Sequence, residues 1–202
     1  MPVDFPALGV DFAAFSGHKM LAPTGIGALY GRAELLDALP PFLTGGSMIT
    51  RVELQDADYM PAPIKFEAGT QRVSQVVAFA EAVRYLQHLG MDNVHAWEQE
   101  LGARLVAGVQ NIEGVRLLGP TDPNKRAGLV SLGIDGVHPH DAGQLLDTKG
   151  IAVRVGHHCA QPLHRGAGLT ASTRASAYLY NTTEDIDAFL AALAEVRPYF
   201  GL

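Results

Sequence analysis

Two short stretches hold most of the reactive side chains. "SGHKM", Ser16–Met20, sets His18 beside Lys19 at the end of an apolar run, and "RVGHHCAQPLHR", Arg154–Arg165, sets two histidines directly before the single cysteine, Cys159. An unperturbed lysine has a pKa of about 10.4, so only about one in 10³ is the free amine at neutral pH. A nucleophilic Lys19 therefore needs desolvation or a cationic neighbour, and a buried-type strand before it with His18 adjacent suits that need. The other reading is an ordinary turn lysine. For Cys159 the readings are an inert packed thiol, a metal ligand or a nucleophile. Adjacent His-His-Cys cannot supply three tetrahedral ligands without strain, which counts against zinc. An exposed thiol near positive charge is activated as the thiolate, and Arg154, His157 and His158 can supply that field.

Two further residues have the right type in a telling place. Arg174 opens the apolar run "TRASAYLY", where its planar fork needs a partner: a carboxylate ligand, or a nearby Asp or Glu if it is a rim arginine. Thr70 in "FEAGTQ" follows Gly69 just ahead of a helix, a position that favours an anion or simply caps the helix. "GIGALYG" breaks the G-x-G-x-x-G spacing and is no dinucleotide fingerprint. "HPHD", His138–Asp141, reads as a helix cap before a metal site.

The elements that must position these groups follow from periodicity. "DFAAFS" (11–16) and "GIGALYG" (25–31) read as strands, "RAELLDAL" as a short helix stopped by Pro40 and Pro41, and 42–68 as irregular. A helix runs from about Ser74 to Leu89, with Val76, Phe79, Ala80, Val83 and Leu86 on one face and Gly90 as C-cap. A second helix, with Val94, Trp97, Leu101 and Leu105 on one side, follows at once, so Gly90 marks a domain boundary: residues 1–90 and 91–202. Beyond it "VRLLG", "LVSLGI", "IAVRV" and "TRASAYLY" read as strands and "HDAGQLLDTKG" as a helix. The last helix starts at the capping box Thr182-x-x-Asp185 and buries Ile186, Phe189, Leu190, Leu193 and Val196. The second part is thus a small α/β sandwich.

Composition sets bounds. The 202 residues are 48% hydrophobic and 18% charged, with a net charge of −6, an ordinary globular balance. Mild acidity argues against a nucleic-acid partner. There is no basic-then-apolar leader and no apolar run of membrane-spanning length, so no membrane role is expected. One cysteine allows no internal disulfide, and a cytoplasmic location is the simplest expectation.

Taken in order, "SGHKMLAPTGIGALYG", "GGSMI", "FEAGT", "RVGHHCAQPL" and "TRASAYLYNT" resemble the SufS-like (group II) cysteine desulfurases, pyridoxal 5'-phosphate (PLP) enzymes of the class V aminotransferase family. The resemblance implies an α/β chain forming the C-terminal half of a PLP-dependent transferase of aspartate-aminotransferase type (fold type I). Residues 1–90 would be a remnant of the large parallel-sheet, PLP-binding domain, and 91–202 the complete small domain. It implies that Lys19 binds PLP covalently and acts as a base. Ser16 and His18 would bind the cofactor phosphate, and Thr70 would do so across a homodimer interface. Arg174 would grip the substrate carboxylate, Arg154 would line the pocket, and Cys159 would accept sulfur. The implied reaction converts L-cysteine to alanine and an enzyme persulfide, passed to an acceptor protein for iron–sulfur cluster assembly.

Ala22 and Gln71 depart mildly from the family pattern. The larger departure is at the front: the family's N-terminal half carries a ring-stacking histidine, an aspartate on the pyridinium nitrogen, a glutamine and a phosphate loop. Met1 is accordingly expected to be an internal methionine of a longer protein, or an alternative or miscalled start. Two other readings stand beside the desulfurase. One is a selenocysteine lyase or related PLP lyase, which Cys159 in "GHHCAQP" disfavours. The other is a non-catalytic fragment that acts by binding or dimerising.

Overall fold

A computed structural model describes residues 1–202, which divide into two compact units, Met1–Met91 and Asp92–Leu202. The first unit opens with a turn of helix, α1 (Phe5–Leu8), capped by the Asp4 carboxylate. Strands β1 (Phe12–Ser16) and β2 (Gly27–Gly31) pair antiparallel, Phe12 opposite Gly31 and Ser16 opposite Gly27. Mixed sheets of α/β proteins carry such antiparallel pairs beside parallel strands. Gly27 is required by the close approach: a Cβ there would lie 2.6 Å from the Phe15 carbonyl oxygen. Helix α2 (Ala33–Ala38) follows.

The segment expected to be irregular contains a hairpin, β3 (Ile49–Val52) with β4 (Ala57–Tyr59). Its pairing is polar. Arg51 stands opposite Asp58 and donates to its carboxylate at 2.6 Å, and Glu53 pairs with the same guanidinium. Cross-strand charge pairs stabilise strands without any apolar alternation, so hydrophobic periodicity gives no sign of them.

Helix α3 (Val73–Leu89) ends at Gly90, whose positive φ (82°) lets its N–H reach back to the Leu86 and Gln87 carbonyls. Only part of the expected apolar face is covered: Ala82 and Leu86 are buried and Phe79 and Val83 half-buried, while Val76 and Ala80 are exposed. The strand expected to be buried, β1, is also largely open, with Phe12 and Phe15 exposed. A ring cluster joins these elements: Phe15 lies 6.1 Å from Phe5 and 6.3 Å from Phe79, and Phe5 lies 5.1 Å from Tyr30.

The second unit begins with α4 (Met91–Gln110), whose Val94, Leu101 and Leu105 are buried as expected. Its sheet has four antiparallel strands, β5 (Val115–Leu118), β6 (Leu129–Ile134), β7 (Arg154–Gly156) and β8 (Ser172–Ser176), in the order β5-β6-β8-β7. Helix α5 (Pro139–Thr148) connects β6 to β7 and is capped by His138, whose ring accepts from the His140 N–H. A short helix, α6 (Gln161–Gly166), connects β7 to β8. Helix α7 (Thr183–Ala194) starts at the expected Thr182–Asp185 capping box, and α8 (Val196–Tyr199) closes the chain.

Two strand readings shorten. "IAVRV" is a strand only at Arg154–Gly156, and "TRASAYLY" leaves the sheet after Ser176. There the Asn181 carboxamide oxygen takes the Tyr178 N–H, and Trp97 donates to the Asn181 carbonyl, so side chains replace the ladder. One face of the sheet carries the core. Val130, Leu132 and Ile134 of β6 alternate inward with Ala175, against Leu101, Leu105 and Val109 of α4, Leu146 of α5, and Ile186, Phe189 and Leu193 of α7.

All but four of the buried apolar side chains (Ala22, Met48, Ala82 and Leu86) belong to the second unit. Residues 91–202 expressed alone should therefore melt cooperatively. Residues 1–90 alone, with Phe12, Phe15, Leu29 and Phe42 exposed, should aggregate or show no cooperative transition by calorimetry.

Candidate active site

In the first unit one tight turn gathers three of the expected residues. β1 ends at Ser16, and a single 3-10 turn, Gly17–Met20, carries His18 and Lys19 before Leu21 closes it in left-handed conformation (φ 65°). The turn is anchored at its base. The Gly17 N–H donates to the Ile26 carbonyl at 2.9 Å, and the Ala22 N–H to the Gly17 carbonyl at 3.0 Å. Gly17 is buried, and a Cβ on it would meet Ile26 Cγ2 at 3.0 Å and Ala22 Cβ at 3.1 Å. That packing need marks Gly17 as a positioning residue that sequence reasoning passed over, although a glycine directly before His-Lys was visible.

Lys19 and His18 are both exposed. The desolvation expected of Lys19 is thus not supplied by the neighbouring strand. Thr70 is exposed as well. It follows Gly69 (φ 76°), whose N–H donates to the Gly46 carbonyl, and the N-cap of α3 is Arg72, so Thr70 is not the helix cap. No hydrogen bond joins Thr70 to Ser16, His18 or Lys19.

In the second unit, Arg154, Cys159 and Arg174 come together through β7 and β8. Their register sets Arg154 opposite Arg174 and Gly156 opposite Ser172. Side chains two apart in a strand share a face, so Arg174 and Ser172 lie with Arg154 on the side away from the core. Like charges directly opposite are unfavourable. No carboxylate relieves them, since the chain's ion pairs use Arg32, Arg51, Arg84, Arg104 and Lys149. Arg174 therefore has no Asp or Glu partner within the chain. Its Nε is buried with no hydrogen-bond partner.

The loop after β7 carries the thiol. His158 and Cys159 are both left-handed, with φ of 52° and 65°, an unusual pair of non-glycine residues. The turn points Cys159, exposed, toward β7, where Arg154 Nη2 lies 3.0 Å from Sγ. A guanidinium at that range stabilises a thiolate. His158 does not add to the field as expected from sequence. Burial, then the neighbouring Arg174, His164 and Arg154, push its pKa down to about 4, so its ring is neutral at pH 7.

That shift has a stability consequence with a definite sign. The unfolded chain takes a proton on His158 near its ordinary pKa of 6.5, whereas the folded chain resists until about 4. Stability present above pH 6.5 should decline as pH falls through that window. Urea titrations at pH 7.0 and 5.5 should give a lower midpoint at 5.5, with a smaller difference in His158→Gln.

The sequence pattern of the aminotransferase class-V family matches residues 1–189. The chain is 56% identical over 200 residues to "Probable cysteine desulfurase 2" of Mycobacterium leprae, covering 99% of this chain and 48% of that protein. Among solved structures it resembles the cysteine desulfurase CsdA, in S-sulfonic acid form, from Escherichia coli, with a TM-score of 0.92 and 37% identity over 98% of this chain and 49% of that one. It also resembles C-DES with glycine covalently linked to its PLP cofactor, at 26% identity and a TM-score of 0.81, over 96% of this chain and 48% of that one. The chain spans about half the length of the curated relatives it matches. With the match running almost from end to end, the chain belongs to the aminotransferase class-V family.

Proposed function

We propose that this chain carries the lysine, nucleophile and carboxylate-binding parts of a PLP-dependent cysteine desulfurase. The observation that carries the reading is the thiol of Cys159 held 3.0 Å from Arg154, on a strand facing the unpaired Arg174. An amino-acid substrate with a carboxylate and a sulfur matches that set. Residues 1–90 act as part of the PLP-binding domain and 91–202 as the small domain.

The residues present suit the cofactor. The half-buried Ser16 hydroxyl at the end of β1 and the exposed imidazole and amine of the turn after it match the phosphate and aldehyde of PLP. Ser16 and His18 would bind the phosphate, Lys19 the aldehyde carbon, and Thr70 the phosphate of a second subunit in a homodimer. When bound, PLP supplies the electron sink for the substrate carbon.

The chain's own residues then have distinct tasks. Arg174 takes the substrate carboxylate in a charge-assisted pair, and Arg154 holds Cys159 as the thiolate until substrate arrives. The Lys19 amine, once free, takes the Cα proton as a general base. The Cys159 thiolate attacks the substrate sulfur. An S–S bond forms as the C–S bond breaks, and the electron pair stays with carbon. Lys19 returns a proton to Cα, and the proton lost by the Cys159 thiol is balanced by the one Cβ gains. The products are alanine and a Cys159 persulfide. An exposed Cys159 suits onward transfer to an acceptor protein for iron–sulfur cluster assembly, in a cytoplasmic setting.

PLP added to the chain should give a visible absorption band unlike that of the free cofactor, absent in Lys19→Ala. A wild-type chain with no such band at any PLP concentration would remove the enzyme reading for it. Where turnover is present, Cys159→Ala should lower alanine formation from L-cysteine by about 10³-fold or more. Arg174→Ala should cost roughly 10- to 100-fold in kcat/KM, the worth of one charged hydrogen-bonded pair. Sulfide release undiminished in Cys159→Ala would favour a lyase that needs no thiol.

A further inference from the structure

Beneath the Cys159 turn lies a row of polar contacts that the proposed chemistry does not use. Ser172, fully buried at the start of β8, has two imidazoles on one hydroxyl: His158 Nε2 at 2.9 Å and His164 Nε2 at 2.9 Å. The other nitrogen of His164, Nδ1, lies 3.0 Å from the Ala160 carbonyl oxygen. His164 is itself buried, on α6.

These contacts can be satisfied in only one direction when both rings are neutral. A carbonyl oxygen only accepts, so His164 Nδ1 carries the hydrogen and donates to Ala160. His164 Nε2 is then a bare acceptor and takes the Ser172 hydroxyl hydrogen. The Ser172 oxygen, with its hydrogen committed, accepts from His158, whose hydrogen must sit on Nε2. This leaves His158 Nδ1 without a hydrogen, and that atom is buried with no partner. A lone pair aimed at nothing polar is a smaller loss than a stranded N–H beside two guanidiniums.

The chain of bonds also ties the loop together. It begins at His158, crosses to β8 through Ser172, and returns through His164 to Ala160, so it encloses Cys159 between its two ends. The Ala160 N–H closes the turn on the His157 carbonyl at 2.8 Å. A left-handed conformation at two successive non-glycine residues costs about 1 kcal/mol or more each and persists only where surroundings over-determine it.

We infer that Ser172 and His164 are positioning residues, whose directional hydrogen bonds fix the Nε2–H tautomer of His158 and hold the left-handed turn that seats Cys159 on Arg154. The charged and titratable groups around His158 are Arg154 on β7, Arg174 on β8 and His164 on α6, with His157 stacked edge-on to His164 at 5.8 Å. None is acidic, so burial and the positive surround keep the ring neutral, and the hydrogen bond to Ser172 selects which nitrogen carries its hydrogen. The use of this device in sulfur transfer rests on the desulfurase reading; the device itself does not.

The test needs neither cofactor nor turnover. Long-range ¹H–¹⁵N spectra of the histidine rings at pH 7 should show His158 protonated at Nε2 and His164 at Nδ1. The reverse tautomer on either ring overturns the inference. Ser172→Ala should give a tautomer mixture at His158 and slow alkylation of Cys159 by iodoacetamide at pH 7 by about 3-fold or more, half a pK unit of thiolate stabilisation. Unchanged tautomer and unchanged alkylation in that variant would sink the idea.

If Ser172→Ala fails to fold, His164 provides the second arm. His164→Gln keeps an acceptor for the Ser172 hydroxyl and should alkylate at close to the wild-type rate, while His164→Leu should be slowed. Equal slowing in both would mean packing alone, and would also overturn the proposal. A chain inactive toward cysteine but showing these signatures would count against the desulfurase reading only.

Discussion

The pairing of β7 with β8 is the constraint on which the rest of the second unit depends. Three residue pairs, Arg154 with Arg174, Val155 with Thr173 and Gly156 with Ser172, fix the distance between two guanidiniums, the start of the cysteine turn and the hydroxyl beneath it. A slip by one residue would send Arg174 into the apolar core and Ala175 out of it. Burial of Val130, Leu132 and Ala175 on the opposite face is what prevents that slip. The apolar core therefore stabilises the fold and also holds two like charges side by side, with no carboxylate of the chain between them.

The two units divide the chemistry in a physically sensible way. The lysine turn is short, pinned by backbone hydrogen bonds and a close-packed Gly17, and presents its side chains outward. The cysteine turn is held by side chains, through imidazoles and a buried hydroxyl, and is strained at two positions. In the proposed desulfurase, backbone anchoring suits Lys19 as the group that holds the cofactor in place. In the same reading, side-chain anchoring suits Cys159 as the nucleophile, because its reactivity is then adjustable by neighbours that do no chemistry themselves.

The legibility of the chain followed the kind of signal each feature leaves. Helices α3, α4 and α7 were readable because an apolar stripe at a period of 3.6 is written directly in residue order, and the Thr182–Asp185 cap announces itself by spacing. The β3–β4 hairpin was not, since Arg51 and Asp58 stabilise it through charge. Arg154, Cys159 and Arg174 were nameable from motif and residue type, but that Arg154 faces Arg174 is a matter of register, which no local pattern encodes. Ser172 and His164 left no signal at all. A serine opening a strand and a histidine on a short helix are commonplace until folding brings them onto one hydrogen-bond path. The neutrality of His158 was misjudged for the same reason: its charge state is set by burial and by two arginines separate from it in sequence.

The uneven distribution of buried apolar residues has a consequence for biosynthesis. A ribosome releases the N-terminal side first, and here that side holds few of the buried apolar groups and many of the exposed ones. The segment able to build a core by itself, with α4, the four-stranded sheet and α7, emerges after it. Nascent β1 and β2 thus emerge with their aromatic rings open before the core of the second unit is complete. Within this stretch the exposed rings precede the core in order of synthesis, and the segment that ends in the lysine turn offers a chaperone open apolar surface.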